Sequence, residues 1–415
     1  MGYTLLHNGT LIDGRGGEPI RDGAVLLHDK KIQAVGRKAD IPLPDSEITM
    51  IDAGGGTILP GLIDSHVHIM FAGFNFQKIM NDPFSYKFYD VIPYMRATLD
   101  CGVTTVRDAG GADLGLKMAV ADGLVAGPRL HISICMLSPT GGHADGLMPS
   151  GGNLHWFAPY PGRPDFICDG VDGVRTKVRE LVRAGADVIK ICATGGVSSP
   201  NDHPFDEAYS QAELDAFVDE ARRLRGRKVM VHAQGTAGIK NALRAGVHSI
   251  EHGTLIDDEG IELMLKNGTF LVPTMVLGHY SRHIAPPDRT MPPWVERVLP
   301  QFMAMRGDNL QRAYKAGVKI AMGTDSGVIP HGYNSLELGV MCEQLGMSPM
   351  EAIMAATKVA SECLELQDDI GTLEAGKLGD IIVTTVDPLQ DIWGLGQPEN
   401  VPLVMKEGQV MKNNL

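Results

Sequence analysis

The chain has 415 residues, of which 44% are apolar and 21% charged, and a formal net charge of −13. That length exceeds one small core and fits a large domain with a smaller companion. The acidic balance excludes a general nucleic-acid binder, which needs a basic face. The first residues show no basic stretch followed by an apolar one, so no signal peptide is expected. No apolar run is long enough to span a membrane. The six cysteines (Cys101, Cys135, Cys168, Cys192, Cys342, Cys363) lie far apart and form no Cys-x-x-Cys pair. Scattered thiols fit a reducing compartment, so a cytoplasmic location is expected.

Residues 1–57 read as short strands separated by turn-formers. Tyr3–His7 precedes Asn8-Gly9, and Ala24–His28 is followed by Ile32–Val35 and Gly36. Such spacing is hairpin material. The far end reads the same way, with strands over 379–386, 402–405 and 408–411. The two ends, 1–57 and 375–415, are therefore assigned to one small β-sandwich domain.

The middle, 58–374, alternates β-like and helix-like runs. Strand candidates are 58–69, 102–107, 129–134, 187–192, 228–233, 247–251, 269–273 and 318–324. Between them, Gln211–Leu224 has apolar residues at 214, 217, 218, 221 and 224, a helical period. Ser210 with Glu213 three residues on forms a capping box. The stretches 174–184 and 308–316 look similar. Strands alternating with helices over this length predict an α/β fold, a (β/α)8 TIM barrel, with its chemistry at the C-terminal ends of the strands.

The strand ends carry that chemistry. The first run ends in His66 and His68, which share one face because they are two residues apart. Two imidazoles on one strand end suit a metal ion. The fourth run carries Lys190 among apolar neighbours. The fifth ends in His232, the sixth in His252 and the eighth in Asp325. A buried lysine either faces a carboxylate or has a lowered pKa. In the second case its neutral amine can add carbon dioxide and become an oxygen ligand. Arg107 ends the second run and either holds a substrate carboxylate in a bidentate contact or pairs with Asp108. The stretch 194–209, with two glycines, two prolines and His203, reads as a mobile loop over the site, with His203 a candidate substrate contact. The 277–307 insert reads as either a cover for the site or a subunit contact.

The segments Gly61-Leu-Ile-Asp-Ser-His-Val-His68, Thr104–Asp108, Val188-Ile-Lys190, Val231-His232, Glu251-His-Gly253 and Gly323-Thr-Asp325 together resemble the amidohydrolase superfamily. The closing Gly371–Val383 resembles its C-terminal signature. Gly195–Pro200 and Gly141-Gly-His143 point to its prolidase-like, imidazolonepropionase-related branch. The resemblance implies a binuclear site, with His66, His68 and Asp325 on one divalent metal and His232 and His252 on the other. Carboxylated Lys190 and a hydroxide would bridge them, with zinc the expected metal and manganese, cobalt or iron also suited to the N/O donors. It further implies Asp325 as proton carrier and His143 as donor to the carbonyl oxygen. One departure is Gln234, where dipeptidases of the branch often have an aromatic residue beside the substrate carboxylate.

The expected activity is hydrolysis of an amide bond in dipeptides or N-acyl amino acids with a free carboxylate. Alternatives are hydrolysis of a cyclic amide, lactone or carbamate, a mononuclear deaminase, or a scaffold without activity. The expected partner is a small-molecule substrate, with no nucleic acid and no membrane; a homo-oligomer stays open. Gly371–Lys377 imitates a phosphate-binding loop, but Leu378 stands where that loop needs Ser or Thr.

Overall fold

The computed structural model describes residues 2–415 apart from 74, 149 and 288–290. Among these residues the chain is mixed α/β, with two parallel sheets from its middle and one eight-stranded sheet from its ends. Period-two alternation explains the terminal sheet. Val25 and Leu27 join Leu6, Ile58, Ile381 and Val383 on one face. Ala24 and Leu26 join Leu5 and Ile41 on the other. The sheet runs Gln409–Asn413, Leu403–Lys406, Ile381–Thr384, Thr57–Pro60, Tyr3–Leu11, Ile20–His28, Lys31–Arg37, and Ile48–Asp52 branches from Tyr3–Leu11.

The run 58–69, expected as one strand, is two. Thr57–Pro60 pairs antiparallel with Ile381–Thr384, whereas Leu62–Val67 pairs parallel with Val103–Asp108. The break falls at Gly61, whose N–H donates to the Asp380 carbonyl. A Cβ there would collide with the Thr104 side chain. Glycine thus lets the chain pass from one sheet to the other at close approach.

The three-stranded parallel sheet holds Leu62–Val67, Val103–Asp108 and Arg129–Ile132. The five-stranded one holds Met136–Leu137, Ile189–Cys192, Val229–Ala233, Ser249–His252 and Phe270–Val272. The Asp187 N–H donates to the Ile132 carbonyl and so links the two. The run 318–324 is not a regular strand. It has one bridge, Leu271 to Ile320, and on its other side Ser65 N–H donates to Met322 O. A Cβ on Gly323 would meet Val272 and His66, and the backbone then turns left-handed at Asp325, φ 58°. That geometry ends a strand early.

Helices pack on the outside of the parallel sheets around one large apolar cluster. Gln211–Arg223 buries Leu214, Phe217 and Ala221 and has the expected capping box of Ser210 and Glu213. In the 277–307 insert, Val276–His283 and Pro293–Met305 are helices, and 288–290 lie outside the described residues. The second helix lies over the 194–209 stretch. Trp294 Nε1 donates to the Ser198 carbonyl at 3.0 Å, and Phe302 meets Phe205 edge-on. No described helix is long and apolar enough to cross a membrane. All six cysteines are free thiols.

Candidate metal centre

The ends of the parallel strands surround a cavity of about 130 Å³. His66, His68, Lys190, His232, His252 and Asp325 all line it, together with His143 and Gln234. His66 and His68 each bring Nε2 to Asp325 Oδ1, at 3.4 and 3.3 Å. One ligand atom from each of these three residues lies within 4.8 Å of the others. His252 stands beside His66, with ring centroids 5.2 Å apart, and beside His232, at 4.7 Å.

The outer nitrogens decide which atoms point inward. His66 Nδ1 bonds Glu251 Oε2 at 2.7 Å, and His68 Nδ1 bonds the Gly110 carbonyl at 2.8 Å. His252 Nδ1 meets Thr274 Oγ1 at 2.7 Å. Each of these three keeps Nε2 for the centre. His232 is reversed, with Nε2 on the Gly195 carbonyl at 3.1 Å, so Nδ1 is left. Partners of this kind fix tautomer and ring orientation in metal-binding histidines. Among the described residues, nothing hydrogen-bonds or pairs with the Lys190 amine, and burial lowers its pKa. Burial likewise pushes His252 down to about 3, so it is neutral. Burial works to raise Asp325, but hydrogen bonds to His66 and His68 hold it well below the usual carboxylate range. Imidazole nitrogens, an ionised carboxylate and an unpaired amine form a donor set that fits divalent cations.

Two residues of the centre have a strained backbone. His252 and Asp325 are both left-handed, with φ 69° and 58°. Such conformations cost about 1–3 kcal/mol each. They turn side chains at the strand ends toward the cavity.

His143 stacks on His232 with centroids 4.1 Å apart, and its Nδ1 meets Ser199 Oγ at 2.9 Å. Asp202 lies behind it, 3.5 Å from the same nitrogen. The side chain is therefore held inside the cavity and is not a solvated loop residue. Gln234 Oε1 accepts from Thr254 Oγ1, which fixes its amide.

Two expected substrate contacts do not reach the cavity. Arg107 is 1% exposed and lies beneath the floor. Its Nη2 donates to Glu251 Oε1 at 2.9 Å and its Nε to the Ser65 carbonyl at 2.6 Å. It holds no substrate carboxylate, and its partner is Glu251, not Asp108. Asp108 instead accepts backbone N–H bonds from Ile69, Gly110 and Ala112. His203 stacks on Phe205, away from the cavity lining.

Sequence reasoning missed Glu251, Thr274, Ser199 and Asp202, which orient the imidazoles. It also left Asp64 without a role. Asp64 accepts from His66 N, Thr324 N and Oγ1, and Asn334 Nδ2, tying Leu62–Val67 to the Gly323-Thr-Asp325 turn. Burial nevertheless pushes its pKa up to about 6. A polar residue inside the apolar run was the available signal.

This arrangement defines a class: a hydrolytic enzyme whose α/β frame presents a place for divalent metal. Residues 57–411 match the Amidohydrolase family, and the chain belongs to it. It is 36% identical to an ochratoxinase of Aspergillus niger, over 99% of this chain and 86% of that one. It is 24% identical to an imidazolonepropionase of a Geobacillus species, over 94% and 90% of the two chains. A solved prolidase complexed with N-methylphosphonate-L-proline superposes with a TM-score of 0.88 at 34% identity, covering 99% of this chain and 100% of that one.

Proposed function

We propose that the protein is a binuclear metal-dependent amidohydrolase acting on dipeptides or N-acyl amino acids with a free carboxylate. The frame would be a closed (β/α)8 barrel over 58–374, with 1–57 and 375–415 as a β-sandwich domain. The observation that carries this is the convergence of His66, His68, Lys190, His232, His252 and Asp325 on one cavity. The likeness to a prolidase and to an ochratoxinase supports the substrate class.

In this reading the Lys190 amine, made less basic by burial, adds carbon dioxide to give a carboxylated lysine. Two divalent ions, zinc by donor type, would then be held by the six side chains. When bound, such ions supply a low-pKa water and a Lewis acid for the carbonyl. Asp325 accepts a proton at its carboxylate and delivers it to the leaving nitrogen. His143, steadied by Ser199 and Asp202, donates to the carbonyl oxygen as negative charge grows there. The fixed amide of Gln234 meets the substrate's polar end. Glu251, anchored by Arg107, acts through His66.

The test is elemental analysis of protein grown with bicarbonate and purified without chelator, alongside Lys190→Ala. About two metals per parent chain and a clear loss in the variant support the reading. About one metal, unchanged in the variant, overturns it. A library of dipeptides and N-acyl amino acids then fixes the substrate. Asp325→Asn should keep metal but lose roughly 10²–10⁴-fold in turnover.

A further inference from the structure

A second cavity, about 230 Å³, lies against the first. Phe71 and Trp156 line both, so the two share a wall. Lys87 and Arg163 also line the second cavity. They flank one ring: the Arg163 guanidinium carbon lies 4.7 Å and the Lys87 ammonium 6.0 Å from the Tyr160 centroid. The ammonium also sits 4.5 Å over Phe84.

Among the described residues neither cation has a carboxylate partner. Arg163 is 3% exposed; Nη2 donates to the Gly111 carbonyl, and Nε is buried with no partner. The acids nearby are engaged or exposed. Asp90 pairs with Lys78, and Asp113 accepts from Tyr160 OH at 3.0 Å and from Leu116 N–H. Asp82 is solvent-exposed at the rim. Lys87 is also the second residue of helix Tyr86–Asp100, whose first turn carries no acid and whose Ser85 cap makes no side-chain bond. A cation there adds to the positive end of the helix dipole. Burial, with Arg163 close by, pushes the Lys87 ammonium down to about 8. Two unneutralised cations at one cavity are costly without an anion.

We propose that this cavity binds the carboxylate of a small organic acid with a flat apolar body. Lys87 and Arg163 hold its charge, and the rings of Phe84 and Trp156 take its body. Aromatic walls with a few convergent charges are what such a ligand needs. The acid has two sources. It is either a distal carboxylate on the enzyme's own substrate, a form that rests on the amide hydrolysis proposed above, or a separate molecule.

The test is calorimetric titration of the metal-loaded protein with benzoate, with benzylamine as the cationic control. Benzoate should bind the parent chain and bind about tenfold more weakly to Lys87→Met and to Arg163→Met, the loss expected for one charge-assisted bond. Benzylamine should not bind. Because Arg163 is buried, Lys87→Met carries the test if the other variant fails to fold. No benzoate binding, or binding that Lys87→Met leaves unchanged, overturns the proposal; the second outcome places benzoate elsewhere, at the metals included. Initial rates separate the sources. A rise in KM alone marks a distal carboxylate of the substrate, and a changed kcat marks a separate acid. Calorimetry needs no turnover, so failure to cleave any amide leaves this result readable.

Discussion

Glu251 shows how one residue organises the centre without entering the cavity. Its two oxygens hold different groups, Oε2 on His66 Nδ1 and Oε1 on Arg107 Nη2. Burial alone would raise its pKa, but Arg107 and His66 hold it far below the usual range. Glu251→Gln keeps the shape and removes the charge. Arg107 is then buried beside a neutral amide, a loss of roughly 3–5 kcal/mol if the broken pair behaves like other buried ones. His66 loses its orienting acceptor, which typically weakens metal affinity about 10–100-fold. A lower melting temperature together with faster metal loss to a chelator is expected, and a variant matching the parent in both would show that Glu251 is passive. Arg107→Met should likewise lower the melting temperature. It should leave the KM ratio between carboxylate and amide forms of a substrate unchanged, since Arg107 does not line the metal-centre cavity.

At the scale of the element, the stretch 194–209 walls one side of the cavity, and helix Pro293–Met305 packs against that stretch. Val197, Ser198 and Ser199 line it. The adjoining Gly196 is there because a Cβ would run into the His143 ring. Gly196→Ala should displace that imidazole and lower kcat, by up to about 10²–10³-fold if His143 is the carbonyl-oxygen donor. Metal content should stay at the parent level, and equal kcat in the two proteins would remove His143 from that role. The ligand-bearing strand ends were legible because a histidine, lysine or aspartate closing an apolar run breaks the local pattern. The orienting residues were not. Glu251 lies 185 residues from His66 and 144 from Arg107 along the chain, and packing alone brings them together. The break at Gly61 was hidden for a similar reason, since 57–67 reads as continuous β and only the approach of Thr104 and Asp380 divides it.

At the scale of the whole molecule, stability depends on buried charges that do not line the cavity. Asp380, in the chain's C-terminal part, accepts from both Nη atoms of Arg129 on the parallel sheet, from Thr104 Oγ1 and from the Glu407 N–H. That cluster pins the terminal sheet to the parallel one. Glu337, the second residue of helix Leu336–Leu345, is different: among the described residues no cation reaches ion-pair distance, and the Arg306 charge acts on it only from farther off. It accepts from Met275 N–H at 2.9 Å and from Val276 N–H, which favours the ionised form. Burial opposes this and prevails, pushing its pKa up to about 8. An unfolded glutamate titrates near about 4.3. Between those values the folded chain holds a proton that the unfolded chain has released. Stability from this group is therefore full below about pH 4 and falls as pH rises toward 8, at up to about 1.4 kcal/mol per pH unit. Glu337→Gln retains an acceptor for the two N–H groups and cannot ionise. The parent should lose more melting temperature than the variant between pH 5.5 and 8, measured at fixed metal and salt. Parallel curves would mean that Glu337 is already ionised in the folded chain at neutral pH, with its two N–H partners outweighing burial.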